Sequence, residues 1–207
     1  MNKELLNQSK DIFNTQDKWN ALFEIHNQSK FIIEHWLTIG ARALRDSFAD
    51  DPVWGCEKWD NERDTRWYLK EFGRESVGIG FGWGEVELHL HLIDSSTDSQ
   101  NPAVELLRSP AFKPLLELFE LETTPPKHYD EGSLAYNTTL NPFSGATDTQ
   151  ARQRELAWLA AHDPKFYVEK MAGIIRRLTA DSIYTGLFQE FNRQIRQKTS
   201  SKQVAQS

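Results

Sequence analysis

The sequence predicts an α+β fold: an antiparallel β-meander of about four strands within residues 53–93, a further strand near 134–140, and N-terminal and C-terminal helices packed against them. Three observations carry this reading. Apolar residues recur at helical spacing at both ends of the chain. Between them, residues 77–84 and then 85–92 each alternate strictly between apolar and small or polar types. Upstream of that stretch, short aromatic runs are separated by turn-forming residues. Runs of strands set apart from runs of helices are characteristic of α+β proteins.

The first helix is expected over residues 2–14. Thr15 and Asp17 supply a start signal for a second, long helix ending near Phe48. Its apolar positions are Leu22, Ile25, Ile32, Trp36, Ile39 and Ala43, close to a 3.5–3.6 period, and are expected to form one buried stripe. Asp50-Asp51-Pro52 stops the helix, because proline disfavours a helical predecessor. Strands follow over Val53–Trp59 and Thr65–Phe72, joined by a polar turn from Asn61 to Asp64.

Residues 94–101 read as a polar loop, 103–108 and 113–121 as helices interrupted at Pro110, and Thr123–Gly132 as a long loop. Leu134–Leu140 is an expected strand. Asp148 or Thr149 caps a helix to about Ala161. A last helix opens at Asp163-Pro164, proline being suited to a first helical turn. Its stripe runs Val168, Met171, Ile175, Leu178, then Leu187, Phe191 and Ile195. Residues 1–197 are read as one domain and 198–207 as a flexible polar tail.

A chain of 207 residues buries enough surface to fold without a disulfide or metal. No apolar run is long enough to span a membrane, and residues 1–10 do not read as a secretory signal. The lone Cys56 fits a reducing compartment, so a cytoplasmic location is expected. The formal charge of −6 is uneven: residues 1–150 carry 14 basic and 25 acidic side chains, residues 151–207 carry 10 and 5. An acidic body disfavours phosphate backbones, so nucleic acid is left only to the basic C-terminal region.

The hairpin at 76–93 carries the main site expectations. Its apolar set is odd-numbered in the first strand and even-numbered in the second, so the loop must hold an even number of residues. A two-residue turn at Trp83-Gly84 pairs Gly82 with Glu85, Gly80 with Glu87 and Gly78 with His89. One face is then an apolar wall of Val77, Ile79, Phe81, Val86, Leu88 and Leu90. The other sets bare Gly78, Gly80 and Gly82 beside Glu85, Glu87, His89 and His91. Interior glycines weaken a strand and mark close approach by a ring, a backbone or a ligand.

Two functions follow as expectations. The first is an acidic intracellular protein-binding or regulatory module without catalytic activity or cofactor. Four of seven tryptophans fall between residues 54 and 83, and Trp59 and Trp67, with Gly78, Gly80 and Gly82, are its expected binding residues. The alternative is a metal-dependent hydrolase, in which Glu87, His89 and His91 hold a divalent ion and Glu87 acts as a base. The order helix, strands, helix, strand resembles the core of the PD-(D/E)XK nucleases. In that family a strand-borne acidic residue precedes a Glu-x-Lys strand; here the hairpin offers Glu85-Val86-Glu87 and Glu87-Leu88-His89, with no lysine at the matching place.

Overall fold

A computed structural model of the chain describes residues 3–82, 87–93, 97–123, 133–137 and 148–205. In chain order the elements are α1 (Lys3–Ile12), α2 (Gln16–Ser47), β1 (Trp54–Lys58), β2 (Thr65–Leu69), β3 (Gly78–Gly82) and β4 (Glu87–His91). There follow α3 (Thr97–Leu107), α4 (Lys113–Leu118), β5 (Glu122–Thr123), β6 (Ser133–Asn137), α5 (Thr149–His162), α6 (Pro164–Thr179) and α7 (Ser182–Ala205). The strands form one antiparallel sheet in the order β1-β2-β3-β4-β6-β5. This is the α+β meander with helices on either side in sequence. No helix among the described residues is long and apolar enough to cross a membrane.

The helix starts follow local chemistry. The Thr15 hydroxyl accepts from the Lys18 amide at 3.3 Å, Asp148 caps α5 through the Ala151 amide at 2.8 Å, and Asp163 caps α6 through the Phe166 amide at 3.0 Å. The expected last helix is in fact two. The chain breaks after Thr179, and the Asp181 carboxylate takes the Ile183 amide at 2.8 Å to start α7. The apolar period had masked this break by continuing beyond it. Helix α7 then runs to Ala205, through most of the segment expected as a tail. Residues 97–101, expected as loop, open α3, since Ser, Thr and Asp favour helix starts as well as turns. Strand β5 was not foreseen; it is two residues long and lies at the sheet edge.

The hairpin register differs by two residues from the expectation. Gly82 lies opposite Glu87, Gly80 opposite His89 and Gly78 opposite His91. Four residues therefore separate the strands, and the expected turn at 83–84 with Glu85 and Val86 falls outside the described residues. Two and four are both even, so Gly78 to Gly82 and Leu88 to His91 keep their expected faces and only their cross-strand partners change.

The inner face carries the row Cys56, Trp67, Ile79, Leu90 and Ala135. Around it the core takes Leu37 and Leu44 from α2, Met171 and Ile175 from α6, and Phe188 and Phe191 from α7. Trp54 stacks on Phe188 with ring centroids 5.9 Å apart. The buried Asn192 ties α7 to the sheet, its side-chain oxygen accepting the Val77 amide at 2.8 Å.

Only the C-terminal part of α2 enters this core, through Leu37, Gly40, Ala41 and Leu44. Arg45 donates to the Glu62 carbonyl at 3.1 Å, and Arg63 pairs with Glu34 at 3.1 Å, fixing this part of the helix to the β1–β2 turn. The stripe expected to be buried is a different one, and its three isoleucines are exposed: Ile25 by 58%, Ile32 by 41% and Ile39 by 37%.

Candidate functional site

The outer face of the sheet bears the row Glu57, Arg66, Gly80, His89, Tyr136 and Glu122, one residue from each strand. The glycines open a trough in this row, and the chain fills it with its own side chains. The Trp59 indole lies on Gly80: a Cβ there would come within 2.8 Å of the ring. The same ring lies 3.6 Å from the equivalent point at Gly82. At Gly78 the occupant is the Arg66 guanidinium, whose Nε is 2.8 Å from where a Cβ would stand.

Both occupants are held. The Trp59 indole N–H donates to Nε2 of His91 at 3.0 Å, and its ring meets those of His89 and His91 edge-on at 5.0 and 4.6 Å. His89 Nδ1 is 2.9 Å from the Ser133 hydroxyl, and its ring stacks on Tyr136 at 6.2 Å. Arg66 is fully buried. It pairs with Glu57 at 3.0 Å and donates to the carbonyls of Arg74, at 2.8 Å, and Ser76. Burial pulls the Arg66 pKa down, and the Glu57 carboxylate opposes that pull. Sequence reasoning missed Arg66, although a charged residue inside an aromatic strand was a signal that something must neutralise it.

The expected site residues are thus divided. Trp59, Gly78, Gly80, His89 and His91 come together on the outer face, with Gly82 beside them. Trp67 points the opposite way and is fully buried against Phe48, at a centroid distance of 6.3 Å. Glu87 opens β4 opposite Gly82, and its side chain is outside the described residues. As metal ligands, His89 and His91 share a face, but the His91 Nε2 lone pair already receives the indole N–H. Among the described residues no three His, Cys, Asp or Glu side chains converge as a metal would require.

Charged side chains elsewhere also have structural partners. Asp64 is buried and accepts from the Asn61 amide, while Glu62 pairs with Arg45 and Lys58. Arg177 donates to the Leu118 carbonyl at 2.9 Å, and Arg193 pairs with Glu190. The polar loop containing Lys127 and His128 lies outside the described residues. Burial pushes the Cys56 thiol up, beyond the range of an ordinary cysteine, with Arg45 opposing more weakly. A groove of about 760 Å³ lies between the end of α2, the start of β1, and α6 and α7, lined by Phe48, Val53, Ala172 and Ile175.

The largest uncovered feature is on α2. Trp19, Phe23, Ile25, Phe31, Ile32 and Ile39 are all exposed along a single 32-residue helix. The sequence signal of Ile25, Ile32 and Ile39 was visible as a helical period, but was assigned to the core.

The fold and these surfaces define an α+β protein with a self-filled sheet face and an apolar helical arm. No protein-family model matches the chain, no curated protein matches its sequence, and no solved structure matches its fold.

Proposed function

We propose that the protein is a non-catalytic protein-binding module of the cell interior, docking through the exposed face of α2 rather than through the tryptophans of the meander. The single observation that supports this reading is the exposure of Ile25, Ile32 and Ile39, by 58%, 41% and 37%, at seven-residue spacing and therefore along one face of α2. Scattered apolar residues are ordinary on a protein surface, but a contiguous set along one helix marks an interaction site. Covering one such side chain is worth roughly 1.5–3 kcal/mol relative to leaving it exposed. The outer sheet face supports binding less well, because Trp59 and Arg66 already occupy its trough.

A photo-reactive benzoylphenylalanine in place of Ile32 tests this in cells producing the chain at native levels. A discrete protein adduct at position 32, lost when the probe is moved to buried Leu44, is the expected outcome. Absence of any protein adduct at positions 25, 32 and 39 alike would overturn the reading.

A further inference from the structure

The groove of about 760 Å³ between the end of α2, the start of β1, and α6 and α7 has the size of a small-ligand site. Its lining is largely apolar. Val168, Ala172 and Ile175 contribute from α6, and Phe48, Val53 and Trp54 from around the α2–β1 connection. Gly186 on α7 leaves the groove open, since a Cβ there would meet no atom within 4 Å. A glycine inside a helix weakens it relative to alanine, and no close neighbour in the chain requires this one.

The charged and amide side chains of the lining fall into two groups. Asp51 and Gln189 are committed within the chain. The Asp51 Oδ1 accepts the amides of Val53 and Trp54 at 2.8 and 2.7 Å, and the Gln189 amide donates to Glu71 at 2.8 Å. Glu169 and Arg176 are not committed. Both are exposed, and neither side chain has an ion-pair or hydrogen-bond partner among the described residues. They lie seven residues apart on α6, which places them two turns, or about 10.5 Å, apart along the helix. Ala172 and Ile175 stand between them in the same lining.

We propose that this groove binds a short apolar peptide of about three residues, with its α-ammonium at Glu169 and its carboxylate at Arg176. Charge complementarity and spacing select this occupant. A fatty acid or an alkylamine answers only one of the two charges and sets its apolar body against the other. A single amino acid carries its two charges too close together to reach both. An extended chain advances about 3.3–3.6 Å per residue, so the termini of a tripeptide stand roughly 10 Å apart. That matches the separation of Glu169 and Arg176, and it leaves apolar side chains over Ala172 and Ile175. The groove uses different residues from the exposed isoleucines of α2, so the proposal stands or falls apart from the docking of that helix.

Isothermal titration calorimetry of the full chain with leucyl-alanyl-leucine is the primary measurement, and saturable one-to-one binding is expected. The N-acetylated, C-amidated form of the same peptide should bind much more weakly, because both charges are gone. Glu169→Arg and Arg176→Glu should each weaken binding about fivefold or more, since an exposed pair is replaced by repulsion. The two substitutions together should restore most of the affinity, because the peptide can then lie in the reverse direction. Gly186→Phe should fill the groove and abolish binding with unchanged circular dichroism, as its Cβ meets nothing.

No binding of the tripeptide overturns the proposal, and so does equal binding of the capped form. Binding that survives Gly186→Phe places the peptide outside the groove and overturns it as well. A double charge variant that binds no better than either single variant removes the pairing with Glu169 and Arg176 on which the proposal rests.

Discussion

The indole N–H of Trp59 donates to Nε2 of His91 at 3.0 Å, while the same ring lies across Gly80 on the neighbouring strand. This one relationship accounts for two features that otherwise read as a ligand site. The glycine leaves room for the ring, and the histidine fixes the ring in place. A row of glycines flanked by imidazoles thus serves as the seat of a tryptophan from the end of β1.

Gly80→Ala tests the fit directly. The added methyl would meet the Trp59 ring at 2.8 Å, and the ring cannot retreat without losing its bond to His91. Urea denaturation should show a loss of about 1–3 kcal/mol, the usual cost of overpacking. In a Trp59→Leu background the same substitution should cost much less. Equal costs in both backgrounds would show that the ring is not what the glycine accommodates.

Arg66 should be sensitive to truncation. Arg66→Ala leaves Glu57 without its buried partner and strips the carbonyls of Arg74 and Ser76 of a donor. Breaking a buried pair from one side costs about 3–5 kcal/mol. Arg66→Ala combined with Glu57→Gln should recover part of this, because the Glu57 charge, then paired only with the exposed Arg74 at 3.4 Å, is gone. If the double variant is no more stable than the single, the ion pair is not the source of the loss.

Metal addition discriminates the outer face as architecture from the outer face as a centre. A divalent ion bound by His89 and His91 would have to take the lone pair that His91 gives to Trp59. Thermal melts with Zn²⁺, Mn²⁺ or Mg²⁺ should therefore show no stabilisation. A rise in Tm that disappears in His91→Gln would instead establish a metal site that includes His91, as the hydrolase alternative requires.

Cys56 should react slowly and contribute a signed pH dependence. Its thiol is held in the protonated form chiefly by burial. The native chain then keeps a proton that the unfolded chain releases above about pH 8.5. Stability from this group is fully present below that value and declines as pH rises above it. Urea midpoints measured from pH 7.5 to 9.5 should fall more steeply for the native sequence than for Cys56→Ala. Iodoacetamide should modify the folded chain far more slowly than the unfolded chain, and comparable rates would contradict the burial.

Much of the fold could be read from local pattern. The alternations at 77–84 and 85–92 assigned the hairpin side chains to two faces, and for Gly78 to Gly82 and Leu88 to His91 that assignment survives a register two residues from the expected one. Thr15, Asp148 and Asp163 marked helix starts because a short polar side chain there satisfies an amide the helix leaves open. The break at Asp181 was harder to see, since the apolar period runs on through it. The candidate site was less legible. Gly80, His89 and His91 were assigned to one face, but that Trp59 lies on them was not foreseen, and Trp67 was named a binding residue although its strand position turns it into the core.

The sequence by itself determined the α+β class, the parity of the hairpin and the separation of an apolar sheet face from a glycine-and-histidine face. These depend only on periods of two and 3.6 residues along the backbone. Only the tertiary structure decided what lies on the glycines and which stripe of α2 is covered. Helix α2 carries two apolar stripes, and its period cannot say which one meets the body. Packing against the body and the anchors at Glu34 and Arg45 turned Leu37, Ala41 and Leu44 inward, leaving Ile25, Ile32 and Ile39 outside. Likewise Trp59 reaches Gly80 and His91 only because the folded sheet brings segments some 20 to 30 residues apart side by side.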